Sequence, residues 1–547
     1  MKLPKFLDCT LRDGGYINEW KFSWHFANAL YHAVSEGGAD YIEVGFFEPG
    51  NESGLPWTNL SSDDLKRLRR EIPHGTKIAV MINYGSVDLD LVPDRSEYSA
   101  DLIRVATPKN RAKEGTEFAA ALTKKGYETT INYMGVSNYT NAEILELIEI
   151  INDYKDAVNY FYVADSFGSL LPARTREIFT MLRFGTDAQL GFHPHNNLQL
   201  AFANCLEAME AGVDIIDGSV FGMGRGAGNL FTDAVIAYFE TIEPERFQVM
   251  PILQFADLYM EEMKQQYSWG YSLPQLLSGI LKCHPNYPTN LLKEKAYTAD
   301  DIYRMLKYLS TEEKPRYSNE VAGSIKEKHF SALAADSLVS VSSNLKKLCA
   351  ESGQVALLVC GGPSVLEEAD LIKGFIEDKK PSVFSVNNPE VPFDIDGVFF
   401  GNRRRILRNS DKIDQSKQVL LGPEIHQGAE INFDSENVSR VNLLKIVPDG
   451  ISPFPTVLPS NSAIEAILGL VQCGYQQIFL CGLDGYQGER SYYYDETDPV
   501  EALEEMNEQN QAITEELRYT KELSDQMGFS FGVITATIFE EYFQAIK

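Results

Sequence analysis

Hydrophobic and polar positions follow a strand–helix rhythm in the first half of the chain. From residue 5 to about residue 240, short runs rich in β-branched and aromatic residues alternate with helical segments every 25 to 35 residues or so. Eight such units predict a (β/α)8 barrel, in preference to a doubly wound open sheet. The predicted strands are FLDCTL from Phe6, YIEVGF from Tyr41, KIAVMI from Lys77, LIRVAT from Leu102, ETTINYMGV from Glu128, YFYVADS from Tyr160, LGFHPH from Leu190 and IIDGSV from Ile215.

The second half shows a different organisation. Residues 245–310 predict helices, and the polar stretch STEEKPRYSNEVAGSIKEKHF after them predicts a linker. Near residue 340 a second α/β unit begins, with QVALLVCGGPS, PSVFSVNN, GVFFGN, QVLLGP and QQIFLCGLDGY as strands of an open, Rossmann-like sheet. The predicted domains are therefore a barrel (1–245), a helical extension (246–312), a linker (313–340) and a Rossmann-like domain (341–547).

Composition and charge restrict the partners of the chain. Its 547 residues carry a formal charge of −29, which disfavours nucleic acid and anionic membranes because both would be repelled. No stretch approaches the about 20 apolar residues of a membrane span, and the N-terminus has no signal-peptide pattern. The seven cysteines lack CxxC spacing, which indicates reduced thiols. We expect a cytoplasmic protein in which a local cluster of Arg or Lys meets any anionic substrate.

Candidate metal ligands lie at the carboxyl ends of two predicted strands. Arg12 and Asp13 follow the first strand, and the segment HPHNN (193–197) ends the seventh. Residues i and i+2 of an extended chain point to the same side, so His193 and His195 can face one ion. Two imidazoles and a carboxylate suit a borderline divalent cation such as Mn²⁺, Mg²⁺, Co²⁺ or Zn²⁺. A structural histidine pair is the alternative interpretation of this motif alone.

A glycine-dense loop follows the eighth predicted strand. The segment GMGRGAGN (222–229) contains Gly224, Arg225 and Gly226. Backbone N–H groups of such a loop can approach an anion closely, and the arginine adds a positive charge. A flexible turn is the simpler interpretation, but the loop falls at the same predicted rim as the candidate metal ligands, which favours a substrate-binding role.

Four segments together resemble a known superfamily. LDCTLRDGG, YVADSFGSLLP, GFHPHNNLQLAFAN and DGSVFGMGRGAGN occur in the order typical of the DRE-TIM metallolyases, the HMG-CoA lyase-like superfamily. The resemblance covers residues 5–300 and is closest to the 4-hydroxy-2-oxovalerate aldolase branch. It implies that Asp13, His193 and His195 bind the divalent metal, Mn²⁺ first among the candidates, and that Arg12 stabilises the enolate of a 2-oxo acid.

The resemblance also implies roles for further residues. It suggests a metal contact by Asn229, catalytic roles for Glu43 and Asp165, and a substrate contact by Ser166. The aldolase branch carries a histidine shortly after the RDG segment, where this chain has Tyr16. We therefore expect Tyr16 to take part in proton transfer, with packing over the barrel as the alternative. The other candidates for a base are His25 and His284.

The C-terminal domain is similar to bacterial sialyltransferase-like and motility-associated glycosyltransferase-like domains. The similarity lies in LLVCGGPSVLEEAD, SVNNPE and CGYQQIFLCGLDGY. It implies nucleotide or nucleotide-sugar binding, with TVLPSNSAI (456–464) as a further polar turn. The last histidine of the chain is His426, so the late histidine base of the sialyltransferases is missing. GNRRRILR (401–408) is a candidate anion cluster, with a solvated basic turn as the alternative. The residues implied to face the nucleotide are Gly361, Gly362, Ser364, Asn387 and Asn388.

These features predict a metal-dependent aldolase that uses pyruvate or a related 2-oxo acid and an aldehyde. The second domain suggests that the aldehyde is a sugar or a nucleotide-linked sugar used in the synthesis of a surface polysaccharide. The chain is also a candidate to form a homo-oligomer. One alternative is an acyl-CoA-dependent Claisen condensation on a 2-oxo acid. Another is a glycosyltransferase-like activity of the C-terminal domain, with the barrel as an accessory module.

Overall fold

Eight parallel strands close into a barrel in chain order, which confirms the predicted (β/α)8 fold. The last strand pairs with the first, with Lys5 beside Ile215 and Asp8 beside Gly218. The strands are β1 (Lys5–Asp8), β2 (Tyr41–Phe46), β3 (Lys77–Asn83), β4 (Leu102–Thr107), β5 (Glu128–Met134), β6 (Tyr160–Asp165), β7 (Leu190–Pro194) and β8 (Ile215–Gly218).

The computed structural model describes most of the chain in two compact units. One unit comprises Met1–Thr289 and Ser310–Tyr317, and the other comprises Asn290–Leu309 and Ser318–Lys547. The four-part division expected from the sequence stays a prediction. In the described part of the chain, no helix has both the length and the apolar character that crossing a bilayer requires. The described residues are 2–48, 55–71, 75–294, 297–336, 339–401, 403–422, 425, 433, 435–442, 461–485 and 503–543.

The first strand is shorter than predicted. β1 ends at Asp8, and Thr10–Asp13 forms a helical turn, α1. The Asp8 carboxylate accepts a hydrogen bond from the Thr10 N–H at 3.0 Å, and this side-chain bond turns the chain out of the strand. Arg12 and Asp13 therefore lie on a turn above the barrel rim and not on an extension of the strand.

Helices cover the outside of the barrel. Capping side chains define several of their starts: Ser23 accepts from the Phe26 N–H, and Thr140 with Glu143 forms a capping box. Between β3 and β4, where every residue is described, a 3₁₀ turn at Leu89–Leu91 stands in place of an α-helix. The helices are α1, α2 (Gly15–Asn18), α3 (Trp24–Glu36), α4 (Ser62–Glu71), α5 (Ala112–Lys124), α6 (Asn141–Tyr154), α7 (Pro172–Gly185), α8 (Ala201–Glu210) and α9 (Thr232–Glu240).

The barrel interior has an apolar floor with charged residues next to it along the strands. A buried cluster of strand residues fills the floor. Side chains two positions apart face the same side of a strand. The residues two positions after the floor residues Tyr41, Leu102 and Ile215 therefore also point into the barrel. Those side chains are Glu43, Arg104 and Asp217, all fully buried. The full floor cluster is Leu7, Cys9, Tyr41, Ala79, Leu102, Tyr160, Tyr162 and Ile215.

A helical region follows the barrel, as predicted for residues 245–310. The polar stretch assigned to a linker overlaps an 18-residue helix, Asn319–Asp336, which the sequence did not predict. Its Glu, Lys and Ala residues favour a helix although the stretch lacks a strong apolar pattern. The helices are α10 (Met250–Phe255), α11 (Glu261–Gln266), α12 (Leu273–Leu281), α13 (Asn286–Lys293), α14 (Ala299–Leu306) and α15 (Asn319–Asp336), with a π-helical turn at Ala256–Met260.

The second unit contains a parallel sheet, which confirms the predicted α/β class. Its strand order is β13-β12-β11-β10-β9-β14-β15. Successive strands are therefore added on one side of β9 up to β13, and β14 and β15 are added on the other side. The sequence missed the short edge strands β13 and β15. The strands are β9 (Val355–Val359), β10 (Ser382–Val386), β11 (Gly397–Phe400), β12 (Gln418–Leu421), β13 (Val438–Arg440), β14 (Gln477–Cys481) and β15 (Ser530–Val533). The helices are α16 (Ser343–Glu351), α17 (Ser364–Glu367), α18 (Ala369–Lys379), α19 (Arg403–Asn409), α20 (Ser462–Gln472) and α21 (Leu503–Met527).

A pair of substitutions tests the barrel core. Ile216→Ala removes a fully buried side chain of β8, so we expect the free energy of unfolding to fall by about 2–5 kcal/mol. Leu145→Ala on α6 changes a side chain that is 56% exposed, and this substitution should alter the free energy of unfolding by less than about 0.5 kcal/mol. All four tryptophans precede residue 290, so urea unfolding followed by tryptophan fluorescence reports on the barrel. Equal effects of the two substitutions would contradict this packing.

Candidate metal centre

Three buried side chains converge at the carboxyl end of the barrel. Asp13 comes from α1, His193 from β7 and His195 from the residues just after β7. One possible ligand atom from each lies within 4.8 Å of the others. The two imidazole rings are nearly perpendicular, with centroids 5.0 Å apart. The structure thus brings the three sequence-predicted metal ligands together.

The Asp13 carboxylate has one paired and one unpaired oxygen. Its Oδ1 accepts from Arg12 Nη1 at 2.7 Å, whereas Oδ2 is buried without a hydrogen-bond partner among the described residues. Burial alone would raise the pKa of Asp13, but the charge of Arg12, and then His195 and His193, holds it well below the ordinary value. Asp13 is therefore an ionised candidate ligand whose unpaired oxygen lies 3.9 Å from His193 Nε2.

The two histidines are suited to bind a metal as neutral imidazoles. His193 Nδ1 lies 2.9 Å from Asp217 Oδ2. A carboxylate accepts, so Nδ1 carries the donated proton and Nε2 keeps its lone pair for a ligand. Burial lowers the pKa of His195 to about 3, which keeps that ring neutral at pH 7. Asp217 thus orients His193 from behind.

A row of buried ion pairs crosses the barrel behind the metal ligands. Arg12 Nε donates to Glu43 Oε2 at 2.7 Å, and Arg104 Nη1 donates to the same oxygen at 3.0 Å. Arg104 Nη2 then donates to Asp217 Oδ2. The row therefore runs from Asp13 through Arg12, Glu43, Arg104 and Asp217 to His193. We call these six residues the charge row.

Sequence reasoning missed two members of the charge row. Arg104 lies within the apolar strand LIRVAT, and Asp217 lies within IIDGSV. A single charge inside a buried strand was the available signal, since such a charge requires a partner. Burial alone would lower the pKa of Arg104, but Asp217 and then Glu43 raise it above the ordinary value. Burial alone would raise the pKa of Asp217, but Arg104 and then the hydrogen bond with His193 hold it below the ordinary value.

The residues fit a divalent cation. With neutral histidines, the charge row has three carboxylates and two guanidinium groups, so one negative charge remains for a cation to offset. Asn229 Oδ1 and Asp13 Oδ2 are both buried without a partner among the described residues. A Cβ at Gly224 would overlap the Asn229 amide and lie 2.9 Å from Asp13 Oδ2. Glycine at this position keeps the cradle open.

The rest of the glycine loop is held in a conformation that favours glycine. Gly226 has φ of 72°, and a Cβ there would lie 2.8 Å from Asn197 Oδ1. The Ala227 N–H donates to the same oxygen at 2.9 Å. Arg225 is half-buried in this loop, and no carboxylate in the described part of the chain forms an ion pair with it.

The three candidates for a base occupy different environments. The Tyr16 ring is 43% exposed and packs edge-on against Trp20 at 4.7 Å between centroids. Burial of its hydroxyl raises the pKa of Tyr16 above the ordinary value. His25, on α3, has Nε2 2.9 Å from the Tyr259 hydroxyl. His284 lies between α12 and α13, where burial and then the charge of Arg225 lower its pKa to about 4.

Asp165 and Ser166 support loops. The two Asp165 oxygens accept from the N–H groups of Ser169 and Leu170, at 3.1 and 2.9 Å. Burial raises the pKa of Asp165 to about 6. Ser166 Oγ accepts from the Gly135 N–H at 2.9 Å. Both side chains therefore hold the segments that follow β5 and β6, and neither belongs to the charge row.

In the second unit, a carboxylate of the chain itself contacts the turn that was predicted to face a nucleotide. The Ser364 N–H donates to Asp484 Oδ2 at 2.8 Å, and Ser364 Oγ donates to Oδ1. A Cβ at Gly362 would lie 2.5 Å from the Asp484 carboxyl carbon, and Gly361 precedes it in the same turn. The sequence analysis missed Asp484, although it follows β14, a neighbour of β9.

The predicted asparagines of the second unit form local hydrogen bonds. Asn387 has φ of 62° and accepts from the Gly401 N–H at 3.0 Å. Asn388 Oδ1 accepts from the Glu390 N–H at 3.1 Å. In the basic segment, Arg403 Nη1 donates to Asp300 at 2.7 Å. His426, Asn402 and residues 456–460 of TVLPSNSAI lie outside the described residues.

Comparison with known proteins agrees with this arrangement. Residues 3–260 match the family model described as HMGL-like. The chain is 31% identical over 249 residues to a 4-hydroxy-2-oxovalerate aldolase of Roseiflexus castenholzii, covering 44% of this chain and 72% of the relative. It is 28% identical over 238 residues to the Bacillus cereus enzyme of that name, covering 43% and 69%. The crystal structure of the N-terminal domain of a candidate aldolase from Bacteroides vulgatus superimposes with a TM-score of 0.50 at 28% identity, covering 55% of this chain and 99% of that domain.

Gly224 provides a test of the cradle. We expect Gly224→Ala to weaken Mn²⁺ binding by at least about tenfold, the scale seen when the surroundings of metal ligands are changed, because the added Cβ overlaps the Asn229 amide. Gly374→Ala on α18 is the matched control, since a Cβ there contacts nothing. Isothermal titration calorimetry with Mn²⁺ measures both. If Gly224→Ala bound Mn²⁺ with the affinity of the wild type, the ion would not lie in the cradle beside Gly224.

Proposed function

The chain belongs to the HMGL-like family of metal-dependent lyases through residues 3–260, and from this premise we propose that its barrel makes or breaks a carbon–carbon bond beside a 2-oxo acid such as pyruvate. The observation that carries the proposal is the convergence of Asp13, His193 and His195 within 4.8 Å beside Arg12. A carboxylate and two imidazoles can hold a divalent metal, and a guanidinium can stabilise the negative charge of an enolate.

The three ligand side chains would hold one divalent ion. Asn229 is the fourth candidate contact, through its unpartnered Oδ1. We propose Mn²⁺ first, with Mg²⁺, Co²⁺ and Zn²⁺ as alternatives, because imidazole combined with oxygen ligands suits all four. When bound, such an ion supplies a Lewis acid that polarises the keto group of the substrate.

Arg12 is held in place by two carboxylates. Its Nη1 donates to Asp13 and its Nε donates to Glu43, both at 2.7 Å. These bonds leave the Nη2 donors without a partner among the described residues. Arg12 therefore directs fixed N–H groups toward negative charge that develops on the substrate oxygen, and no reorganisation of the guanidinium is needed. Glu43 acts through Arg12 as a positioning residue.

Tyr16 is proposed to move the proton of the substrate hydroxyl during cleavage. The residue is 43% exposed, although its hydroxyl is buried. That hydroxyl forms no hydrogen bond among the described residues, so it has a donor left for a substrate. Tyr16→Phe should slow cleavage of a 4-hydroxy-2-oxo acid more than it slows proton exchange at pyruvate C3. Equal slowing of the two reactions would argue that Tyr16 only packs over the site.

The aldehyde partner is proposed to be a sugar or a nucleotide-linked sugar, in surface polysaccharide synthesis in the cytoplasm. Support comes from the second α/β unit, which shares the chain with the barrel. An acyl-CoA-dependent Claisen condensation is the alternative reaction, and a glycosyltransferase-like activity with an accessory barrel is the alternative organisation. The complete charge row favours an active barrel, because buried charges are costly to retain without a role.

Exchange of pyruvate protons tests the proposed enolate chemistry. In D₂O with Mn²⁺, we expect the protein to replace the C3 protons of pyruvate, measured by the loss of the methyl proton NMR signal. EDTA should stop the exchange, and Asp13→Asn should slow it by at least about 100-fold. Asp187→Asn, at a site 81% exposed, is the control and should exchange normally. Exchange that survives both EDTA and Asp13→Asn would refute the proposal.

The second unit is proposed to bind a nucleotide or nucleotide sugar. The strand order reverses beside β9, and ligands of doubly wound sheets bind at the carboxyl ends of the strands at such a reversal. Asp484 already receives both donors of Ser364, so a second anion would be repelled there. The free hydroxyl groups of a ribose suit a carboxylate better, and we propose that Asp484 contacts the sugar of the nucleotide.

Thermal unfolding with CMP, CDP and UDP tests nucleotide binding. A nucleotide present at a hundredfold excess over its Kd stabilises the folded state by about 2.7 kcal/mol, which calorimetry of the full chain detects as a raised Tm. Asp484→Asn should reduce the shift. Asp378→Asn, a change at a carboxylate 72% exposed on α18, should keep it. Failure of every nucleotide to raise the Tm of the wild type would eliminate this role.

A further inference from the structure

Arg225 is the one charged residue of the glycine loop (222–229). The chain carries a net charge of −29, yet no carboxylate of the described residues pairs with this guanidinium. Arg12, in contrast, is committed to Asp13 and Glu43. Arg225 follows Gly224, where an added Cβ would lie 2.9 Å from Asp13 Oδ2, so its backbone lies beside the candidate metal ligands. It is available to an anion from solution.

The loop that carries Arg225 cannot shift freely. A Cβ at Gly228, where φ is 84°, would overlap the Gly222 carbonyl oxygen. The Asn229 N–H donates to that same carbonyl at 3.1 Å, and the Asn196 N–H donates to the Gly228 carbonyl at 2.8 Å. The backbone on both sides of Arg225 is therefore anchored, and its side chain extends from a defined position.

A buried hydrogen-bond chain links this loop to His284. The Ala227 N–H donates to Asn197 Oδ1 at 2.9 Å, and Asn197 Nδ2 donates to Ser278 Oγ at 3.3 Å. Ser278 Oγ donates in turn to the Cys283 carbonyl at 2.6 Å. All four residues are buried. The segment after α12 is thus fixed against the glycine loop, which places His284 within the field of Arg225.

His284 can donate a hydrogen bond as a neutral ring. Its Nδ1 accepts from the Asn286 N–H at 3.2 Å, so the ring proton is on Nε2. Burial, followed by the Arg225 charge, lowers the pKa of His284 to about 4, and the ring is neutral at pH 7. The Arg225 guanidinium and the His284 N–H are both donors for an anion, and they come from two segments that the buried hydrogen-bond chain joins.

We propose that Arg225 and His284 form an anion subsite that binds a carboxylate or phosphate on the aldehyde partner. This inference rests on the proposed aldolase function and adds a substrate class to it. Arg12 and the metal ligands are assigned to the 2-oxo acid, so the charge of Arg225 is left for the other half of the substrate. Without that charge, an anionic aldehyde would meet a strongly acidic protein.

Two matched pairs of aldehydes test the subsite. Succinic semialdehyde is compared with butanal for a carboxylate, and glyceraldehyde 3-phosphate with glyceraldehyde for a phosphate, each condensed with pyruvate by the Mn²⁺-loaded full chain. We expect kcat/KM to favour the charged member of at least one pair by about tenfold or more. The pair with the larger preference identifies the anion.

Variants assign the preference to residues. Arg225→Gln should reduce the charged-to-neutral ratio of kcat/KM toward one, and His284→Gln should reduce it by a smaller factor. Arg176→Gln removes a surface charge 57% exposed on α7 and should keep the wild-type ratio. Equal use of charged and neutral aldehydes by the wild type, or an unchanged ratio in Arg225→Gln, overturns the subsite.

Pyruvate exchange separates this failure from failure of the proposed function. Exchange of pyruvate protons needs no aldehyde. If the wild type exchanges these protons but shows no preference for a charged aldehyde, the proposed enolate chemistry stands and the anion subsite is refuted. If the wild type neither exchanges pyruvate protons nor condenses any aldehyde, both the aldolase proposal and the anion subsite are refuted.

Discussion

The buried position of Arg104 is the constraint on which the site depends. This guanidinium is fully buried, and within the described part of the chain its ion pairs are with the carboxylates of Glu43 and Asp217. Removing one partner of such a buried pair typically costs about 3–5 kcal/mol, because a charge is left uncompensated. Each carboxylate has a second duty, since Glu43 holds Arg12 and Asp217 holds His193. The barrel interior and the metal ligands are therefore one connected structure.

The charge row also explains why a cation belongs at its open ends. Asp13 and His193 terminate the row beside each other, and the row has one more carboxylate than guanidinium groups. A divalent ion held by Asp13 and His193 would offset that charge. Gly224 of the glycine loop leaves room beside Asp13 and Asn229, and the one charged side chain of the loop, Arg225, adds a positive charge nearby. Binding of a metal, a 2-oxo acid and a second anion can thus be assigned to separate groups.

Sequence patterns predicted the barrel and the ligand triad because both depend on local rules. Strand periodicity located all eight strands, and the i, i+2 spacing placed His193 beside His195. Features that depend on distant partners escaped detection: the Asp8 bond that ends β1 early, the charge row through Arg104 and Asp217, and the Asp484 carboxylate at Ser364. A sequence shows that a buried charge needs a partner but does not identify it. The helix α15 was missed because its polar composition resembles that of a linker.

Anomalous X-ray diffraction from Mn²⁺-soaked crystals tests the central claim most directly, because it locates the ion without reference to turnover. The account predicts one strong peak within coordination distance of Asp13 Oδ2, His193 Nε2 and His195. It also predicts an undisturbed hydrogen bond between His193 Nδ1 and Asp217. A well-diffracting crystal with no peak at this position, or with the manganese bound elsewhere, would contradict the account.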